Sequence, residues 1–111
     1  MQINVVAVGN KMPAWVNTPC VDYLKRMPAD WNVKLLEVAA EKRGKSQATH
    51  VVKTRETIRL LEAVPASHFV IALDERGNEL TTSKLASKFS QWQLAGVNVS
   101  LLIGGADGID F

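Results

Sequence analysis

Four short β-type runs are separated by three longer amphipathic stretches, and this order restricts the fold more than any other feature. The runs are Ile3 to Val8, stopped by Gly9; Val33 to Val38; Phe69 to Leu73; and Val97 to Ile103, stopped by Gly104-Gly105. The first, third and fourth are largely apolar, as expected for strands covered on both faces. The second carries Lys34 and Glu37 and is expected nearer an edge. Connections long enough to hold a helix favour a parallel sheet with right-handed crossovers. The predicted class is therefore α/β, a mostly parallel sheet in βαβαβαβ order. Ligands in such sheets bind outside the carboxyl ends of the strands. Those ends are Gly9, Ala39 onward, Asp74-Glu75-Arg76-Gly77 and Gly104-Gly105-Ala106-Asp107-Gly108.

The first helical stretch is predicted over residues 13 to 27, with Trp15, Val16, Cys20, Tyr23, Leu24 and Met27 on its apolar stripe. Pro19 predicts a kink or restart, and Pro28 an end. The second runs from Gln47 to Ala63. Its stripe is read as Val51, Ile58 and Leu61, with Lys53, Arg55, Glu56 and Arg59 on other faces. The third runs from Ser83 to Ala95, with Thr81 or Thr82 as cap and Gly96 as stop. Its buried stripe is read as Leu85, Phe89 and Trp92. After Gly108 only Ile109, Asp110 and Phe111 follow, so strand four lacks a covering helix. Its apolar side chains are expected to be exposed or covered by something outside these residues. The chain is therefore read as one α/β domain, residues 1–111, that is a fragment, a truncation or half of an obligate assembly; the alternative is that strand four closes a complete four-stranded domain.

Composition narrows the function classes. With 111 residues the chain can build a core without a metal or disulfide staple. The longest apolar run is too short for a membrane-spanning helix, and the N-terminus carries no secretory signal. Cys20 is the sole cysteine, which excludes an internal disulfide and argues against a cysteine-based zinc site. No metal site or membrane partner is expected, and a cytoplasmic protein is the simplest reading. The net charge is only +2, yet six of the 13 Lys and Arg residues fall between positions 42 and 59: Lys42, Arg43, Lys45, Lys53, Arg55 and Arg59. Within that window only Glu56 opposes them. Clustered cations gain by releasing counterions from phosphate, which points to a polyanion; a solvated helix face preceded by a basic loop reads equally well.

Two loops at strand ends are candidates for chemistry. Gly104, Gly105 and Gly108 permit positive backbone angles and close approach of a ligand to the main chain. Alone, this pattern is a weak signal and reads first as a plain tight turn; it is neither a dinucleotide fingerprint nor a P-loop. Leu73-Asp74-Glu75-Arg76-Gly77-Asn78 either sets backbone beside a flat heterocycle or forms an ordinary turn fixed by Asp74. His50 and His68 lack a partner at a recognisable spacing and are read as structural or solvated. Cys20, Trp15 and Trp92 are read as packing residues; Trp31, in a loop, is the one candidate stacking surface.

The ordered set Ala7-Val8-Gly9-Asn10-Lys11, Tyr23-Leu24-Lys25-Arg26, Leu36-Glu37-Val38, Lys42-Arg43-Gly44-Lys45, Ala72-Leu73-Asp74 and Leu102-Ile103-Gly104-Gly105-Ala106-Asp107-Gly108 resembles the SPOUT (α/β-knot) methyltransferases, specifically bacterial members acting on ribosomal RNA. The resemblance spans the whole chain. It implies S-adenosylmethionine as cofactor, held against backbone at Leu73 and Gly104 with Gly105 adjoining. It implies methylation of N3 of a pseudouridine in 23S rRNA, on assembled ribosomes, by a homodimer. It also implies that the trefoil knot, the remaining cofactor contacts and the residues acting on the base lie beyond the position of Phe111. Lys42, Arg43 and Lys45, with Arg55 and Arg59 as auxiliaries, would engage rRNA phosphates. No base in these residues has a good claim to deprotonate N3. The alternatives are a non-catalytic RNA- or ribosome-binding α/β module using the basic stripe, and a folding fragment without activity.

Overall fold

A computed structural model describes residues 1–9, 19, 22–28, 31–41, 48–74, 76–105 and 108–109. Among them are strands β1 (Gln2–Val8), β2 (Asn32–Val38), β3 (Phe69–Leu73) and β4 (Val99–Ile103), and helices α1 (Thr49–Glu62) and α2 (Thr82–Leu94). Residues 22–25 are also helical, within the first predicted stretch. The four strands form one sheet in the order β2-β1-β4-β3, and every pairing is parallel. The class is α/β, as the alternation of runs predicts.

Register decides which side chains share a face. Val6 pairs with Leu36 on one side and Leu102 on the other, and Leu102 pairs with Ala72. These residues face α1, where Val6, Leu60, Leu102 and Ile109 form the buried cluster. The opposite face carries Ile3, Val99 and Phe69, and receives α2 through tilted contact of Phe69 with Trp92 at 5.9 Å. Phe89 stands edge-on to Trp92 and also meets Trp31 at 5.5 Å. Trp31 is therefore part of a ring cluster at the amino-terminal end of the sheet, away from the ligand-facing end, and not a stacking surface there.

Several expectations about burial are corrected. β3 is an edge strand with Phe69, Val70 and Leu73 exposed, so its apolar run does not mean cover on both faces. Helix α2 buries no residue fully; Phe89 and Trp92 are half-buried and Leu85 is exposed. Its ends do follow prediction: the Thr81 hydroxyl accepts from the Lys84 N–H at 3.2 Å, and Gly96 takes φ +70° just past the last turn. On the first stretch Tyr23 and Met27 are exposed and Leu24 half-buried; Trp15, Val16 and Cys20 lie outside the described residues.

Helix α1 presents a different face from the one predicted. Val52, Glu56, Thr57 and Leu60 are buried, while Ile58 and Leu61 are about half exposed. The core stripe Val52-Glu56-Leu60 repeats at four-residue spacing, with a carboxylate at its centre. Strand four is covered more than predicted, too. Leu102 is buried beneath Leu60 and Ile109, whereas Ile103, on the other face, remains exposed.

Candidate functional site

The carboxyl ends of β3 and β4 emerge side by side because Leu73 pairs with Ile103. Asp74 and Gly104 are the next residues, so the sheet brings the two predicted loops together. The Gly-rich turn folds back on itself: the Gly108 N–H donates to the Gly105 carbonyl at 3.0 Å, with Gly108 at φ +84°. Ile109 then drops into the core.

This folding back changes the reason for glycine at both predicted positions. A Cβ on Gly104 would lie 2.6 Å from the Gly108 carbonyl carbon and 2.8 Å from Ile109 Cγ1. A Cβ on Gly105 would lie 2.7 Å from Glu56 Oε1. The space over these α-carbons is thus filled by the protein itself, not left for a ligand. Any ligand contact at Gly104 or Gly105 has to be made by main-chain polar groups or from another direction.

The neighbouring loop supplies the concave surface. An open cleft of about 380 Å³ is lined by Ala72, Asp74, Arg76 and Gly77, within the usual range of small-molecule sites, about 300–1,000 Å³. Asp74 Oδ2 accepts from the Arg76 backbone N–H at 3.1 Å and from Arg76 Nε at 2.8 Å. Arg76 Nη2 donates to the Ile109 carbonyl at 2.9 Å. Arg76 therefore straps the β3 loop to the Gly-rich turn. Asp74 fixes this turn, the second of the two sequence readings, and Arg76, to which the sequence gives no role, is signalled only by the Asp-x-Arg spacing. An open cleft thus lies beside two adjacent strand ends.

The hydrogen bonds from Arg76 hold the Asp74 carboxyl below its ordinary value of 3.8. Because the folded value is lowered, the strap contributes fully above about pH 3.8 and is lost as pH falls through the lowered folded value. In an acid titration followed by NMR, the Ile109 methyl signals are expected to shift with a midpoint below pH 3.8. A transition centred above that value would contradict the assignment.

Of the basic stripe, Lys53, Arg55 and Arg59 lie among the described residues. Lys42, Arg43 and Lys45 lie outside the described residues. Arg55 and Arg59 are one helical turn apart and both grip Glu41, which sits one residue before the stripe. Arg55 Nη1 is 3.0 Å from Glu41 Oε1, and Arg59 pairs with Glu41 Oε2. Arg59 also donates to the Ala39 carbonyl at 2.9 Å. The hydrogen bond from Arg55 leads in lowering the Glu41 pKa. Arg55 and Arg59 thus anchor the segment after β2. His68 Nδ1 lies 2.9 Å from Ser100 Oγ, tying β3 to β4 at the end of the sheet opposite the cleft.

A family model described as "Predicted SPOUT methyltransferase" matches residues 1–111. The chain belongs to the SPOUT methyltransferase family. A relative from Methylibium petroleiphilum named "Ribosomal RNA large subunit methyltransferase H" is 47% identical over 109 residues, covering 98% of this chain and 70% of the relative. Relatives of the same name from Ralstonia nicotianae and Methylobacillus flagellatus are 44% and 43% identical, with 99% and 98% of this chain covered and 70% of each relative. As a SPOUT methyltransferase, the chain carries its cleft and its Gly-rich turn at the carboxyl edge of a parallel sheet, where α/β proteins bind ligands.

Proposed function

We propose that this SPOUT methyltransferase transfers a methyl group from S-adenosylmethionine to N3 of a pseudouridine in 23S rRNA, acting in the cytoplasm on the assembled ribosome as a homodimer. The observation that carries this is the similarity, over nearly the whole chain, to several relatives named for ribosomal RNA methylation. The adjacency of the Leu73 and Gly104 strand ends supports it.

S-adenosylmethionine supplies a methyl group activated on a sulfonium. The main chain at Leu73, Gly104 and Gly105 would hold it beside the Asp74–Arg76 cleft. The protein's part is then to orient two reactants and exclude water. The imide N3 holds its proton near neutral pH and must lose it during attack. Asp74 is a poor base for that step, since Arg76 stabilises its anionic form. Lys42, Arg43 and Lys45 would neutralise rRNA phosphates, while Arg55 and Arg59, held by Glu41, would act mainly by fixing where that basic segment starts.

Calorimetric titration with S-adenosylmethionine tests the cofactor. Saturable one-site binding is expected; absence of binding, with ribosome binding retained, would replace this reading by a non-catalytic RNA-binding module. Reversing Lys42, Arg43 and Lys45 to Glu is expected to weaken ribosome binding and to reduce the slope of log affinity against log salt by roughly one unit per lost phosphate contact. An unchanged slope would remove these lysines and the arginine from the interface.

A further inference from the structure

We propose that Glu56 is a positioning residue for the Gly104–Gly105 turn, a buried strut through which helix α1 sets the main-chain geometry that receives the methyl donor. The inference rests on the cofactor reading above and adds to it a residue that touches no ligand.

Glu56 is 1% exposed and sits in the core stripe of α1. Burying a carboxylate is costly unless it is well partnered, so its placement needs a reason beyond packing. The carboxylate joins two segments far apart in sequence. Its Oε2 accepts from the Glu41 backbone N–H at 3.1 Å. Its Oε1 lies 2.7 Å from where a Cβ on Gly105 would be. Glu41 is itself fixed by Arg55 and Arg59, one residue before and three after Glu56 on the helix. One helix therefore clamps the segment following β2 with two guanidinium groups and a carboxylate, and sets the same carboxylate against the turn. Shortening the side chain would leave Gly105 without that wall, and a side chain at position 105 would push against it.

The test pairs cofactor binding with hydrogen exchange at two backbone amides in the full chain. The Gly108 N–H, bonded to the Gly105 carbonyl, reports the turn; the Phe69 N–H, bonded to the Asn98 carbonyl at 2.8 Å, reports the far end of the sheet. Glu56→Ala is expected to speed exchange at Gly108 by about tenfold or more with little change at Phe69, and to weaken S-adenosylmethionine binding by about tenfold or more. Glu56→Gln keeps the length and an acceptor for the Glu41 N–H, and is expected to stay within about threefold of the parent in both readouts. Gly105→Ala is expected to weaken binding less in the Glu56→Ala background than alone, because the obstacle has gone. Equal acceleration at both amides, or none at Gly108, would overturn the proposal. Selective acceleration at Gly108 in a protein whose parent binds no S-adenosylmethionine would uphold the strut and overturn the cofactor reading instead.

Discussion

Gly104→Val is expected to destabilise the protein as well as abolish cofactor binding. If the space over Gly104 were reserved for a ligand, a valine would block the ligand and leave stability alone. The turn is instead folded onto itself, with the Gly108 carbonyl carbon 2.6 Å and Ile109 Cγ1 2.8 Å from where the first added carbon would lie. The nearest obstacle is backbone, which cannot swing aside as a long side chain can. Forcing extra carbons into such a site costs about 1–3 kcal/mol, and the upper end is expected here. Displacing Ile109 also uncovers Leu102 and Leu60, which share its cluster. The denaturant midpoint should therefore fall together with S-adenosylmethionine affinity. A variant with parental stability that has lost only binding would show that the turn is open toward the ligand.

Leu60→Ala should cost about 2–5 kcal/mol, the range for emptying a fully buried leucine site. Leu60 is wholly buried at the centre of the cluster with Val6, Leu102 and Ile109. Its neighbour gives the contrast: Leu61 is 51% exposed, and Leu61→Ala is expected to change stability by less than about 1 kcal/mol. The pair measures how α1 is rotated about its axis. Equal losses, or a larger loss at Leu61, would restore the stripe Val51-Ile58-Leu61 as the buried face. Because Leu60 packs under Ile109, Leu60→Ala is also expected to loosen the turn at Gly108, visible as faster amide exchange there.

The misreading of α1 has a physical cause. Apolar periodicity assumes that charged side chains face water, so a stripe containing Glu56 is rejected in favour of one that leaves it outside. The rule fails where a carboxylate has main chain to hold, here the Glu41 N–H. The basic stripe also has a partner that the window did not include. Within residues 42–59 only Glu56 opposed the cations, but the acid that engages Arg55 and Arg59 is Glu41, just outside the window. Charge counting along the chain cannot see partners supplied by an adjacent loop.

Strand positions, the parallel α/β class and helices α1 and α2 were legible from the chain alone, because apolar runs, caps and glycine stops are local signals; the cap at Thr81 and the stop at Gly96 stand where predicted. The family was legible through ordered motifs, and the family match agrees. What only the tertiary structure decided is why those motifs hold glycine and what they touch. The order β2-β1-β4-β3 brings Leu73 beside Ile103, Arg76 onto Ile109 and Glu56 against Gly105. Each of these contacts joins residues 30 or more positions apart; local preference carries no information about such distances, and only the closing of the sheet and the packing of α1 upon it sets them.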